Sequence, residues 1–227
     1  PTLKSYVSAI NDFFINLGGA NNVRYFQSNG GLATGKAMID RPVYAINSGP
    51  ASAPKAGLSV ADPFNYNNVI TVDMGGTSFD ITLTKEGNTN LNKNIDFLRY
   101  RIGVPMIQVE TLGAGGGSIG RIDDIGLLQV GPQSAGADPG PACYDKGGKK
   151  PTVSDANLIL GYLNPDGLVG GKLPLNFNNA YEAIEKYIAK PLNLNVETAA
   201  YGMFTIVNNN MTKSKIVTSD NSKLNTK

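Results

Sequence analysis

Residues 69–83 read Val-Ile-Thr-Val-Asp73-Met-Gly75-Gly76-Thr77-Ser78-Phe-Asp80-Ile-Thr-Leu, two β-branched runs around a turn crowded with glycines, hydroxyls and carboxylates. Gly75 and Gly76 let main-chain amides approach an anion with no Cβ in the way, and Thr77 and Ser78 add hydroxyl donors. Asp73 and Asp80 bracket the turn. Two carboxylates beside a phosphate repel it unless a cation lies between them, so the pattern predicts a phosphate-binding turn with Mg²⁺ managed by Asp73 and Asp80. The same letters also describe an ordinary β-hairpin whose Gly-Gly serves only the turn.

A second glycine run, Gly113-Ala114-Gly115-Gly116-Gly117-Ser118, follows about thirty residues later. Its Gly115-x-Gly117-x-x-Gly120 spacing matches a dinucleotide fingerprint, but Arg121-Ile122-Asp123-Asp124 does not open the amphipathic helix that fingerprint needs. Two readings stay open. Gly115, Gly116, Gly117 and Ser118 line the active cleft with exposed amides and a hydroxyl facing phosphate or an oxyanion, or they mark a close backbone crossing that requires missing side chains. Farther on, prolines at 139 and 141 stiffen a loop carrying Asp138 and Cys143. Cys143 has no basic neighbour in sequence to lower its pKa, so a packed, inert thiol is expected. Asp155 reads as a ligand-facing acid or as one favouring a helix N-terminus. The chain has no histidine, which removes imidazole as base, nucleophile or metal ligand and turns attention to backbone-built sites.

The elements that must hold these residues follow from periodicity. Leu3, Tyr6, Val7, Ile10, Phe13, Phe14 and Leu17 predict an amphipathic helix stopped by Gly18-Gly19. Short extended pieces are expected at 23–27 and 43–46, the first leading into the turn Ser28-Asn29-Gly30-Gly31. Asn47 or Ser48 is placed to cap a small-residue helix running to Ala61. Residues 69–73 suit a buried strand and 79–84 its return. A polar, Asn-rich stretch, an extended segment at 102–111 and a strand at 126–130 come next. Ser154 is expected to cap a helix through Leu163, and Asn176 or Asn178 another through Ala189 before Pro191. Val196, Ala199, Ala200, Met203, Phe204, Val207 and Met211 share one face of a last helix, with residues 218–227 expected to fray.

The order small-residue helix, connector, glycine hairpin resembles the hinge helix and second phosphate loop of actin-like ATPases. Four motifs in sequence narrow the resemblance: Asp73-Met-Gly-Gly-Thr-Ser, Thr111-Leu-Gly-Ala-Gly-Gly-Gly-Ser-Ile, the stretch from Val130 through Asp138 to Tyr144, and Pro151-Thr-Val-Ser-Asp155-Ala-Asn157. Together they are similar to the hydantoinase A / 5-oxoprolinase family, which includes ATP-dependent N-methylhydantoinases and the acetone and acetophenone carboxylases. The resemblance implies an α/β fold, a partial actin-like ATPase (ribonuclease H-like) domain with a mixed sheet and flanking helices. Residues 1–62 would be the end of a first lobe with its hinge helix, and 63–227 a second lobe. It implies ATP and Mg²⁺ as cofactors, with Asp73 and Asp80 catalytic and metal-handling, and Gly75, Gly76, Thr77, Ser78, Gly115, Gly116, Gly117 and Ser118 gripping phosphate.

The implied reaction is hydrolysis of a cyclic amide after its carbonyl oxygen is phosphorylated, with a hydantoinase B-type partner subunit. A ketone carboxylase subunit and a non-catalytic binding module are the alternatives. Family chains also carry an earlier Asp-x-Gly-Gly-Thr loop and a later Gly-Gly-x-Gly-Pro motif, so a partial and, in isolation, inactive chain is expected. Two departures stand out: Glu110 occupies a position where many relatives have histidine, and Ala51-Ser52-Ala53-Pro54 replaces a glycine-rich stretch.

Bulk composition agrees with a globular protein. Of 227 residues, 41% are hydrophobic and 17% charged, and 20 basic against 18 acidic residues leave a net charge of +2. That balance supplies no field for nucleic acid or an anionic membrane, and no apolar run is long enough to span a bilayer. With one cysteine and no leader-like start, a cytoplasmic location is expected.

Overall fold

The computed structural model describes residues 2–19, 23–97, 99–168 and 170–221. Its contacts gather into two units, Pro1–Asp73 with Ile81–Glu110, and Met74–Asp80 with Thr111–Lys227.

In the first unit, helix α1 (Thr2–Asn16) buries Val7 but leaves Tyr6, Phe13 and Phe14 exposed. Strands β1 (Arg24–Phe26) and β2 (Leu32–Thr34) form an antiparallel hairpin with Tyr25 opposite Ala33. The Tyr25 hydroxyl reaches α1, lying 3.2 Å from the Val7 carbonyl and 3.0 Å from Asn11 Oδ1. Thr34 caps α2 (Gly35–Asp40), its side chain accepting from the Ala37 amide. Residues 43–46, expected to be extended, instead fall in and after a 3₁₀ turn, Pro42–Ala45, because the fixed φ of Pro42 suits a first helical position. Helix α3 (Ser48–Ala61) forms where the small residues placed it, yet Asn47 precedes it at φ 53° with no capping bond from its side chain. Pro54 lies inside α3 and is buried with Ala51, so the departure at 51–54 is accommodated by packing.

Strands β3 (Val69–Met74) and β4 (Phe79–Lys85) flank the glycine turn, and β5 (Asn88–Thr89) pairs antiparallel with β4. Composition predicted a buried β3. Residues 69–71 are only half-buried and 72–74 are exposed, and among the described residues β3 lies at the end of the strand order beside β4. Burial falls on the central strand β4 instead, at Phe79, Ile81, Thr82 and Thr84. The polar stretch after it folds into short antiparallel pairs that its composition concealed. Strand β6 (Leu91–Asn92) pairs β9 (Met106–Ile107), and β7 (Ile95–Phe97) pairs β8 (Tyr100–Ile102). The extended segment expected at 102–111 is therefore broken among β8, β9 and β10 (Glu110–Leu112).

The second unit has the larger core. Antiparallel strands β11 (Ser118–Ile122) and β12 (Leu128–Ser134) meet at a turn held by Asp123. Its carboxylate accepts from the amides of Leu127 and Ile125 and from Gln129 Nε2, and the Leu127 amide leads these donors in holding its pKa below the usual carboxylate range. Strand β12 runs through Pro132, beyond the expected end at 130. Thr152, not Ser154, caps α4 (Val153–Ile159) in a capping box with Asp155, and the helix stops four residues before Leu163.

Asn176 caps α5 (Phe177–Ile184) as expected. A π-helical turn, Glu185–Ala189, carries the chain into α6 (Lys190–Leu192), so Pro191 sits inside that short helix. Helix α7 (Val196–Asn221) buries Val196, Ala199, Ala200, Met203, Val207 and Met211 along the expected face. Its helical run reaches Asn221, past the start of the segment expected to fray; residues 222–227 lie outside those described. Among the described residues no helix is long and apolar enough to cross a membrane.

Candidate functional site

The glycine turn is closed by the Gly75 amide, which donates to the Ser78 carbonyl at 2.9 Å. Among the described residues, the next three amides, of Gly76, Thr77 and Ser78, make no hydrogen bond, and Gly76 and Thr77 are exposed. Consecutive free amides around a bend form a small region of positive potential suited to an anion. What keeps the bend open is the second glycine run passing directly beneath it.

The Gly116 amide donates to the Gly75 carbonyl at 3.0 Å and the Gly117 amide to the Gly76 carbonyl at 2.6 Å. A Cβ on Gly115 would stand 2.7 Å from both the Gly75 carbonyl oxygen and the Thr77 amide nitrogen, and one on Gly117 would stand 2.8 Å from the Gly76 carbonyl oxygen. These contacts are those expected of the close backbone crossing. Ser118 is fully buried and its hydroxyl accepts from the Gly115 amide at 2.9 Å, while its own amide donates to the Gly115 carbonyl. The amides of residues 115–118 are thus engaged within the protein, contrary to the expectation of exposed donors, and this segment supports the turn from below.

A third segment joins them. The Ala135 amide donates to the Gly117 carbonyl at 2.8 Å, and Ser134 Oγ lies 3.3 Å from Thr77 Oγ1. Of the two bracketing acids, Asp80 is half-buried and held at both oxygens, accepting from Thr111 Oγ1 at 2.6 Å and from Ser78 Oγ at 3.2 Å. Asp73 is exposed near the end of β3, and among the described residues its side chain makes no hydrogen bond or ion pair. Among the described residues no group of three or more Asp, Glu, Cys or His side chains that could hold a metal ion sits together. Mg²⁺ does not need one; it is commonly held through one or two carboxylates together with waters and phosphate oxygens.

Sequence reasoning passed over Thr111 and Ser134. Both lie inside the long motifs, but a single hydroxyl in a loop has no spacing that marks it. Asp138 is exposed in the proline-stiffened loop. Asp155 is fully buried, and its carboxylate accepts from the amides of Ala142, Cys143 and Thr152 and from the Thr152 hydroxyl. Its part is to tie the loop to α4. Cys143 packs with Leu158, Leu175 and Ala180, and burial, then the neighbouring Asp155 carboxylate, push its thiol pKa far above the ordinary value. It is the inert thiol that was expected.

The family model described as hydantoinase/oxoprolinase matches residues 1–222. The chain belongs to the hydantoinase/oxoprolinase family. It is 64% identical over 211 residues to the caprolactamase subunit alpha of Pseudomonas jessenii, covering 93% of this chain and 30% of that subunit. The crystal structure of that ATP-dependent caprolactamase superposes with a TM-score of 0.77 at 63% identity, over 94% of this chain and 31% of the other. A carboxylase branch is also represented. The acetophenone carboxylase gamma subunit of Aromatoleum aromaticum is 44% identical over 170 residues, covering 73% of this chain and 23% of the relative. A nucleotide-free acetone carboxylase structure has a TM-score of 0.79 at 32% identity, over 91% of this chain and 29% of that chain. The chain therefore spans less than a third of the length of these relatives. Its α/β fold is of the actin-like ATPase type expected for the hydantoinase/oxoprolinase family.

Proposed function

We propose that this chain supplies the phosphate-gripping turn of an ATP-dependent cyclic-amide hydrolase, in which the amide carbonyl oxygen is phosphorylated before water attacks the carbon. The observation that carries the reading is the bend at Gly76, Thr77 and Ser78, whose three amides are unpaired while glycines beneath it leave no Cβ to fill the cradle. ATP, when bound, supplies the phosphoryl group and Mg²⁺ neutralises its charge. The chain's own residues then have distinct tasks. The turn amides and the Thr77 hydroxyl bind phosphate oxygens. Asp80, fixed by Thr111 and Ser78, presents an oriented carboxylate, and Asp73 supplies the second, so that either can hold a water of the cation's shell.

Identity favours the amide branch over the carboxylases, at 64% against 44% and 32%. We also propose that residues 1–62 are the end of a first lobe and 63–227 belong to a second, a division by lineage rather than by contacts, since 63–73 and 81–110 gather with residues 1–62. A hydantoinase B-type subunit is the expected partner, as the matched relatives are named as subunits of larger enzymes. The single, buried, unpaired thiol of Cys143 fits a cytoplasmic setting.

The test is substrate-dependent ATP turnover by the enzyme assembled with its partner. A lactam or hydantoin should stimulate phosphate release in the presence of Mg²⁺, whereas stimulation only by a ketone with bicarbonate would move the chain to the carboxylase branch. Replacing Asp73 with alanine should lower turnover by about a thousandfold or more with the fold retained, since the lost charge acts on a developing phosphoryl transition state. Unchanged turnover would remove Asp73 from the reaction.

A further inference from the structure

We propose that Ser134 and Thr77 form a two-hydroxyl clamp that donates to the phosphoryl oxygens of the bound nucleotide, an inference that rests on the phosphate reading of the turn. Ser134 comes from β12, 57 residues along the chain, yet its Oγ lies 3.3 Å from Thr77 Oγ1. The Gly136 amide donates to Ser134 Oγ at 3.1 Å. That bond occupies a lone pair on the hydroxyl oxygen and leaves its proton to be given elsewhere.

Among the described residues, no carbonyl or carboxylate accepts from either hydroxyl. When two O–H groups face one another, only one can donate to the other. The second proton then has no protein acceptor and is available to a ligand. A hydroxyl that already accepts a hydrogen bond is also a better donor, because the chain of bonds polarises it.

The position of the pair is fixed by the backbone that shapes the turn. The Ala135 amide is bonded to the Gly117 carbonyl, the Gly117 amide is bonded to the Gly76 carbonyl, and a Cβ on Gly117 would come within 2.8 Å of Ser134 Oγ. Thr77 is exposed and Ser134 half-buried, and the Gly76 and Thr77 amides next to the pair in the same turn make no hydrogen bond among the described residues. Neutral donors beside free amides suit a ligand rich in acceptors. Asp80 accepts its hydrogen bonds from Thr111 and Ser78, not from this pair, so the clamp adds donors without adding negative charge.

The experiment measures KM and kcat for ATP in the assembled enzyme. Ser134→Cys keeps a weak acceptor for the Gly136 amide in a slightly larger side chain while losing the strong donor, and Ser134→Ala removes both. Each should raise KM for ATP by roughly tenfold or more, the size expected for a hydrogen bond to a charged oxygen. Ser134→Thr, which restores the hydroxyl, should stay within about threefold of the wild type. Should Ser134→Ala fail to fold, Ser134→Cys and Thr77→Val carry the test, and Thr77→Val should raise KM similarly. A wild-type KM in Ser134→Cys, or a Ser134→Thr enzyme as impaired as Ser134→Ala, overturns the clamp alone. Absence of Mg²⁺-dependent ATP turnover in the wild type overturns the phosphate reading and the clamp with it.

Discussion

Asp80 and Asp155 occupy the same unit, and each sits where a loop meets a regular element, yet their surroundings differ in kind. Asp155 is fully buried and receives four donors, three backbone amides and the Thr152 hydroxyl. Asp80 is half-buried and receives two, both hydroxyls. The segments around them follow suit. Near Asp155 the amides of Ala142, Cys143 and Thr152 all point inward at one carboxylate. Near Asp80 the amides of Gly76, Thr77 and Ser78 are left free. A loop that satisfies all its donors internally is an anchor, and one that leaves several exposed is prepared to receive an acceptor from outside.

The comparison breaks most visibly at the anchor. Asp155→Ala should cost about 4 kcal/mol of stability, because three buried amides and a hydroxyl lose their acceptor at once. Denaturant titration measures it, and turnover per folded molecule should change little. A variant as stable as the wild type would show that water or backbone movement replaces the carboxylate. Gly115→Ala probes the other side. Its Cβ meets backbone atoms of the turn at 2.7 Å, so it should lower ATP turnover about a hundredfold while costing only about 2 kcal/mol of stability. Equal losses in both properties would mean that the crossing serves the fold more than the ligand.

The smallest effect concerns Cys143. Its pKa is raised by burial and by Asp155, so the folded protein holds the thiol proton at pH values where the unfolded chain releases it. Stability should therefore fall as pH rises above the ordinary thiol value, by at most about 1.4 kcal/mol per pH unit. Cys143→Ala should remove that slope, as alkaline denaturation series of the two proteins would show. Slow labelling of the native thiol by a disulfide reagent is the companion result.

Several elements were legible because their causes are local. Asn176 caps α5 from its own side chain, the Val196-to-Met211 face is written at helical spacing, and the glycine hairpin announces its turn. Other features misled for equally local reasons. The β-branched run of residues 69–73 has the composition of a buried strand, but burial depends on what packs over each face of the sheet, which residue type does not carry. Ser154 looks like a helix cap, but Thr152 two residues earlier forms the reciprocal capping box with Asp155. The strands after β5 are too short and too polar to register as an alternating pattern.

By itself, the sequence settled that a glycine-and-hydroxyl turn lies between two strands and that these 227 residues contribute no imidazole, since both follow from residue type and adjacency. Tertiary structure alone decided which glycine run faces outward and which passes underneath. Both runs have the same conformational freedom, and only the contacts between Gly75–Thr77 and Gly115–Gly117 distinguish the run with free amides from the run whose amides are bonded within the protein. It also brought Thr111 to Asp80 across 31 residues and Ser134 to Thr77 across 57. Hydrogen bonds over such separations depend on packing that no local pattern encodes.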